Sequence, residues 1–170
     1  TGGGAALPPE LPTETRALAR LLGSVGPSDR EIVARAMAGR QSELSDLFLG
    51  RRIGDDRALG RGLAFAAVAF GMTGAASRLV TWFAEADPGL REAAADAIGA
   101  LGGPTHLPTL AARIADPDPT VGAAAVRALV ALAVRVGRPD VARDQLARVG
   151  ASASDPLRSA LEEAKRQLGG

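Results

Sequence analysis

The 170-residue chain contains no cysteine and no tyrosine, and it has one tryptophan (Trp82), one histidine (His106) and one lysine (Lys165). Without cysteine it can form no disulfide, no thiolate metal site and no cysteine nucleophile. A lone histidine supplies neither the several ligands of a metal centre nor an oriented base for a triad. His106, set between Pro104 and Pro108, reads as a surface turn residue, and no cofactor or metal is expected. With aromatics scarce, alanine and leucine must build most of the interior, which suits closely approaching helices better than a β-sandwich. Charge of one sign is also lacking: 20 basic residues face 19 acidic ones for a net +1, and no long run of either sign marks a nucleic-acid footprint. The apolar run Gly62 to Met72 is too short for ~30 Å of hydrocarbon, and Val121 to Gly137 is interrupted by Arg127 and Arg135. No membrane span is expected.

Thr1-Gly2-Gly3-Gly4 carries no cationic and apolar signal pattern and none of the flanking residues of a phosphate loop. With no initial methionine, the chain is expected to be a piece of a longer protein. The absence of cysteine leaves the compartment open, with the cytoplasm as the expectation.

What is present is a repeat at a spacing of 31 residues. The stretches starting at Asp56, Asp87 and Asp118 align, and a period in this range marks stacked supersecondary units. Leu59, Leu63, Ala66, Ala67 and Phe70 fall at i, i+4, i+7, i+8 and i+11. The same offsets give Leu90, Ala94, Ala97, Ile98 and Leu101, then Val121, Ala125, Ala128, Leu129 and Leu132. This is one amphipathic helix written three times. Asp87-Pro88, Asp118-Pro119 and Asp155-Pro156 each put an N-capping carboxylate before a proline suited to the first helical position. A second helix follows each first one: Ala76, Leu79, Val80 and Phe83 correspond to Leu107, Leu110, Ala111 and Ile114, and Ala142, Leu146 and Val149 continue the set, with Gln145 in the Leu110 column. The third unit is longer, its excess expected in Val134 to Arg138. The last helix keeps Leu157, Leu161, Ala164 and Leu168, and Lys165 stands in the column of Ala67, Ile98 and Leu129, as a terminal cap requires.

Before the clear repeats, residues 1–12 read as a flexible linker. A helix is expected from near Thr13 to Leu22, ended by Gly23, Gly26 and Pro27. Ser28 and Glu31 have the spacing of a capping box, opening a helix to about Ala38 with Ile32, Val33, Ala36 and Met37 inward. Gln41 to Leu49 is a further helix, and Gly50 to Asp55 a loop.

The stretch from Asp87 to Gly102, with the turn Gly103 to Leu110 and the return Ala115 to Val121, resembles HEAT repeats of the short bacterial type. The likeness extends more loosely over Asp56 to Phe83 and Val141 to Leu168. Gly122 stands where the family usually has arginine, as at Arg91, so one polar contact between repeats is expected to be missing. The resemblance implies an all-α, right-handed α-solenoid of about four to five helix pairs over residues 13–170, with repeats 56–86, 87–117 and 118–154 and a cap helix 155–168. It further implies a non-catalytic scaffold that holds a protein or peptide on the face of its second helices. The polar columns of that face contain Trp82, Arg113 and Arg148, and one turn earlier Arg78, Thr109 and Asp144. Trp and Arg are common interface anchors. The alternative is that Trp82 fills a gap between repeats while the arginines only solvate the face. A second cluster, Arg51, Arg52, Arg57 and Arg61, could hold a phosphate or an acidic peptide, though Asp55 and Asp56 lie beside it. The other acidic pairs, Asp116/Asp118 and Glu162/Glu163, read as caps and helix surface. The alternative functions on this scaffold are a nucleic-acid binder or an enzyme, of DNA glycosylase-like or bilin lyase-like kind. Hydroxylases of similar architecture need repeated His-Glu pairs, which the single histidine does not provide. Oligomeric state is left open.

Overall fold

A computed structural model describes residues 6, 8–49, 56–149 and 154–169. Among the described residues there are ten α-helices, short 3-10 turns and no strand. Backbone contacts divide the chain into two compact units, Thr1–Arg78 and Leu79–Gly170. The boundary falls inside the repeat 56–86.

In the first unit the helices are α1 (Thr15–Ser24), α2 (Pro27–Ala36), α3 (Gln41–Leu49) and α4 (Arg57–Ala69), and α5 (Ala76–Leu79) begins at its end. The main packing is α1 against α4; Leu18, Ala19 and Leu22 of the first and the repeat positions Leu59, Leu63, Ala66 and Ala67 of the second are all buried. Two glycines allow that approach. A Cβ on Gly23 would lie 1.8 Å from the Ala58 carbonyl oxygen, and one on Gly62 would lie 1.6 Å from that of Ala19. Gly23 therefore does not end the first helix as expected; it lies inside α1, where a side chain would block the crossing. Two further expectations are corrected. The N-cap of α2 is Gly26 with Pro27 following, and no side chain caps it; Glu31 instead pairs with Arg35 one turn on, at 2.6 Å. Ile32 is 46% exposed, while Val33 and Met37 are buried. The expected loop Gly50 to Asp55 lies outside the described residues.

The second unit contains α6 (Pro88–Leu101), α7 (Leu107–Arg113), α8 (Pro119–Arg135), α9 (Pro139–Leu146) and α10 (Asp155–Gln167). The first helices stack in order, α6 on α8 and α8 on α10, while a 3-10 segment (Val80–Ala84) packs on α6, and α7 and α9 pack on α8. All ten repeat positions on α6 and α8 are buried. Small residues set the spacing: a Cβ on Gly99 would lie 2.7 Å from the Ala128 Cα. Gly122 has a similar reason. Its Cβ would come within 2.8 Å of the Ile114 carbonyl oxygen, so the site that lacks arginine is one where backbones meet closely.

Capping by the aspartates of the repeat follows the sequence with one exception. Asp56, Asp87 and Asp118 accept hydrogen bonds from the backbone N–H groups of Leu59, Leu90 and Thr120 at 3.0, 3.0 and 2.9 Å. Asp155 does not cap: Ser154 precedes the helix, and Asp155 is its first residue, where a carboxylate still complements the helix dipole. α4 and α8 end alike. Gly71 and Gly137 take positive φ, and Met72 and Arg138 donate back to the Ala67 and Ala133 carbonyls at 2.9 and 2.7 Å, the paired bonds of a Schellman motif. α8 has 17 residues against 14 in α6, which carries its end into the expected excess of the third unit. Lys165 is exposed, whereas Ala67, Ile98 and Leu129 in its column are each 0% exposed.

Leu101 closes the inner column of α6 and is 8% exposed. Leu101→Asp should cost about 3 kcal/mol, because a carboxylate there loses water without gaining a partner. A melting temperature within error of the wild type would show that the position tolerates hydration.

Candidate partner-binding face

The arginine surplus is in good part structural. Arg78 donates from Nε to the Phe48 carbonyl at 3.1 Å. Arg135 reaches back to the Gly102 carbonyl at 2.7 Å, and Arg143 donates to that of Leu168 at 2.6 Å. Each satisfies a carbonyl at the end of a helix, which the helix itself leaves without a donor. Arg91 does more. It makes two parallel bonds to Asp116, at 3.1 and 2.9 Å, and donates to the Glu85 and Ala86 carbonyls at 2.9 Å each. The side chains of this pair are 12% and 1% exposed. Burial by itself pushes the Asp116 carboxyl up, but the bonds from Arg91 and the Asp118 amide, with the nearby charges of Arg91 and Arg113, hold it below the usual range.

Of the expected site residues, Arg78 is in the first unit, and Trp82, Thr109, Arg113, Asp144 and Arg148 are in the second. Arg78 is exposed and lines an open groove of about 490 Å³ with Gln41, Ser45, Phe48 and Met72. Trp82 is 4% exposed. Its ring belongs to the interior, so of the two expectations for Trp82 burial favours the space-filling side chain over the exposed interface anchor. Thr109 and Arg113 lie one turn apart on α7, both half-buried, and Asp144 and Arg148 lie exposed, one turn apart, on α9 and the turn after it. The two helices touch. The Arg113 guanidinium carbon lies 5.3 Å from the Phe83 ring centroid, within cation–π range. Its Nε is buried with no acceptor among the described residues.

In the basic cluster, Arg57 and Arg61 are exposed on α4, and Arg51 and Arg52 lie outside the described residues. His106 turns inward on its own loop, its Nδ1 accepting from the Gly103 N–H at 3.1 Å. Among the described residues no group of three or more His, Asp or Glu is placed to hold a metal ion, and no helix is long and apolar enough to cross a membrane.

Sequence reasoning missed two aromatic–arginine contacts, Arg113 on Phe83 and Arg30 on Phe65. The first joins elements one repeat apart, which no local pattern shows. For the second, Arg61 and Phe65 at i and i+4 were a usable signal, but Arg30 comes from another helix.

A family model described as HEAT repeats matches residues 76–165, more than half of the chain. No curated protein and no solved structure gives a significant match.

Proposed function

Because this chain belongs to the HEAT-repeat family, whose repeats generally mediate protein interactions, we propose that it is a non-catalytic binding module whose second unit holds a protein or peptide on the surface of α7 and α9. The observation that carries this reading is how side chains are distributed between the two layers. α8 is covered by α6 on one side and α10 on the other, and its residues from Val121 to Val126 are all buried. The second helices bury only their inner columns and leave polar residues at the surface. Arg113, braced against Phe83, and Arg148, exposed, offer guanidinium donors, with Thr109 and Asp144 one turn before them. Guanidinium groups favour partners with carboxylates in planar geometry, so an acidic protein surface is the expected complement. Trp82 takes no direct part.

The test is capture from a lysate of the source organism on immobilised chain, beside an Arg113→Glu, Arg148→Glu variant. The expected result is a protein held by the wild type at moderate salt and lost from a variant of unchanged circular dichroism. Equal capture by both would move binding away from α7 and α9.

A further inference from the structure

The first unit carries a second arrangement of arginines, gathered on one aromatic ring and without a carboxylate partner among the described residues. Arg30 of α2 lies over the Phe65 ring of α4, its guanidinium carbon 3.9 Å from the centroid. Arg61, one turn before Phe65 on α4, places its own guanidinium carbon 6.0 Å from the same centroid. An aromatic face attracts a cation within about 6 Å, but two cations at one ring repel each other. Burial first, and the Arg61 charge second, lower the pKa of Arg30. In the same unit Arg20, Arg35 and Arg40 each have a carboxylate within ion-pair distance, in Asp56, Glu31 and Glu43. Among the described residues no carboxylate pairs with Arg30 or Arg61. The Arg30 Nε is buried without an acceptor among the described residues, which leaves ion pairing to its terminal nitrogens.

The apolar part of the surface continues from the same place. Arg61, Phe65 and Val68 fall at i, i+4 and i+7 and so share one face of α4. Phe65 is half-buried and Val68 is 40% exposed.

We propose that this face of α4, with Arg30 stacked over it, docks a partner's peptide segment that carries a carboxylate followed about one turn later by a bulky apolar side chain. The carboxylate sits between the Arg30 and Arg61 guanidiniums and neutralises their repulsion. The apolar side chain covers Phe65 and Val68. A bare oxyanion such as phosphate meets only the first requirement, so the exposed valine favours a peptide. The site lies wholly in the first unit and does not depend on the α7–α9 surface.

The experiment uses the isotopically labelled full chain and a short synthetic helical peptide bearing Glu-Glu and, one turn on, Leu. Two control peptides carry Lys for Glu or Ala for Leu, and inorganic phosphate is titrated separately. The readouts are the Arg Nε–H resonances and the backbone amides of Phe65 and Val68. The proposal expects saturable shifts of the Arg30, Arg61, Phe65 and Val68 signals with the acidic peptide, weaker binding of the Leu→Ala peptide, and none of the Lys peptide. Arg61→Gln should weaken the acidic peptide about tenfold, and Val68→Ser should weaken it as well; both side chains are exposed, and circular dichroism checks that each variant folds. Absence of shifts overturns the proposal, as does equal affinity for wild type and Arg61→Gln. Phosphate and the Leu→Ala peptide binding as tightly as the acidic peptide also overturns it, since the site would then read charge alone.

Discussion

Gly62→Val should destabilise the first unit by about 4 kcal/mol, among the largest effects a single substitution produces. The atom a Cβ would meet, the Ala19 carbonyl oxygen at 1.6 Å, belongs to backbone, so no rotamer change can clear it. α1 has to move off α4, and the movement opens the layer in which Leu18, Leu22, Leu59 and Leu63 are each 3% exposed or less. Gly23 faces the same helix pair from the other side, and a Cβ there would come 2.7 Å from the Gly62 nitrogen. The control is Gly74→Ala, where the new methyl meets nothing within 4 Å and the change should stay within about 0.5 kcal/mol. Urea unfolding followed by far-UV circular dichroism separates the two. Similar midpoints for both variants would mean that α1 and α4 do not cross at these glycines.

Arg91→Ala should cost about 3 kcal/mol, because it leaves Asp116 buried without its cation and frees the Glu85 and Ala86 carbonyls as well. The loss depends on pH, with a sign fixed by the depressed Asp116 carboxyl. A carboxyl held below its unfolded value contributes stability that is fully present above about pH 4. That contribution fades as pH falls through the folded value. The gap in stability between wild type and Arg91→Ala should therefore be full at neutral pH and shrink in acid. In the variant, burial acts on Asp116 without Arg91 to oppose it, so the carboxyl should take up its proton at higher pH than in the wild type. Thermal unfolding of both chains across this range tests the sign. A constant gap would show that Arg91 acts through the carbonyls and packing alone.

The repeat was legible because its physics is local. Leu90, Ala94, Ala97, Ile98 and Leu101 share one helix face by spacing alone, and an aspartate before a helix announces its cap whatever packs above it. What could not be read depends on partners distant in sequence. Glycine marks both helix ends and close crossings, and only the presence of α4 decides that Gly23 is the second. Ser28 and Glu31 have capping-box spacing, yet the helix starts two residues earlier, at Pro27, and Glu31 finds Arg35 instead. Trp82 could have faced either way, because an indole serves as an interface anchor and as a core filler alike; the fold buries it. Of the polar columns, Thr109 and Arg113 lie on α7, Asp144 lies on α9 and Arg148 in the turn after it, since amphipathic periodicity separates outer positions from inner ones along a single helix. The Arg30–Phe65–Arg61 grouping needed the tertiary fold, because its members come from two helices with no shared period.

The burial of Trp82 has an optical consequence. It is the only indole in the chain, there is no tyrosine, and it belongs to the second unit. Intrinsic fluorescence, selectively excited, therefore senses the surroundings of one unit, while far-UV circular dichroism sums the helices of both. Recorded on one sample, the two signals distinguish a single cooperative transition from two successive ones with no added dye. The sequence thus carries its own label in one unit and leaves the other dark.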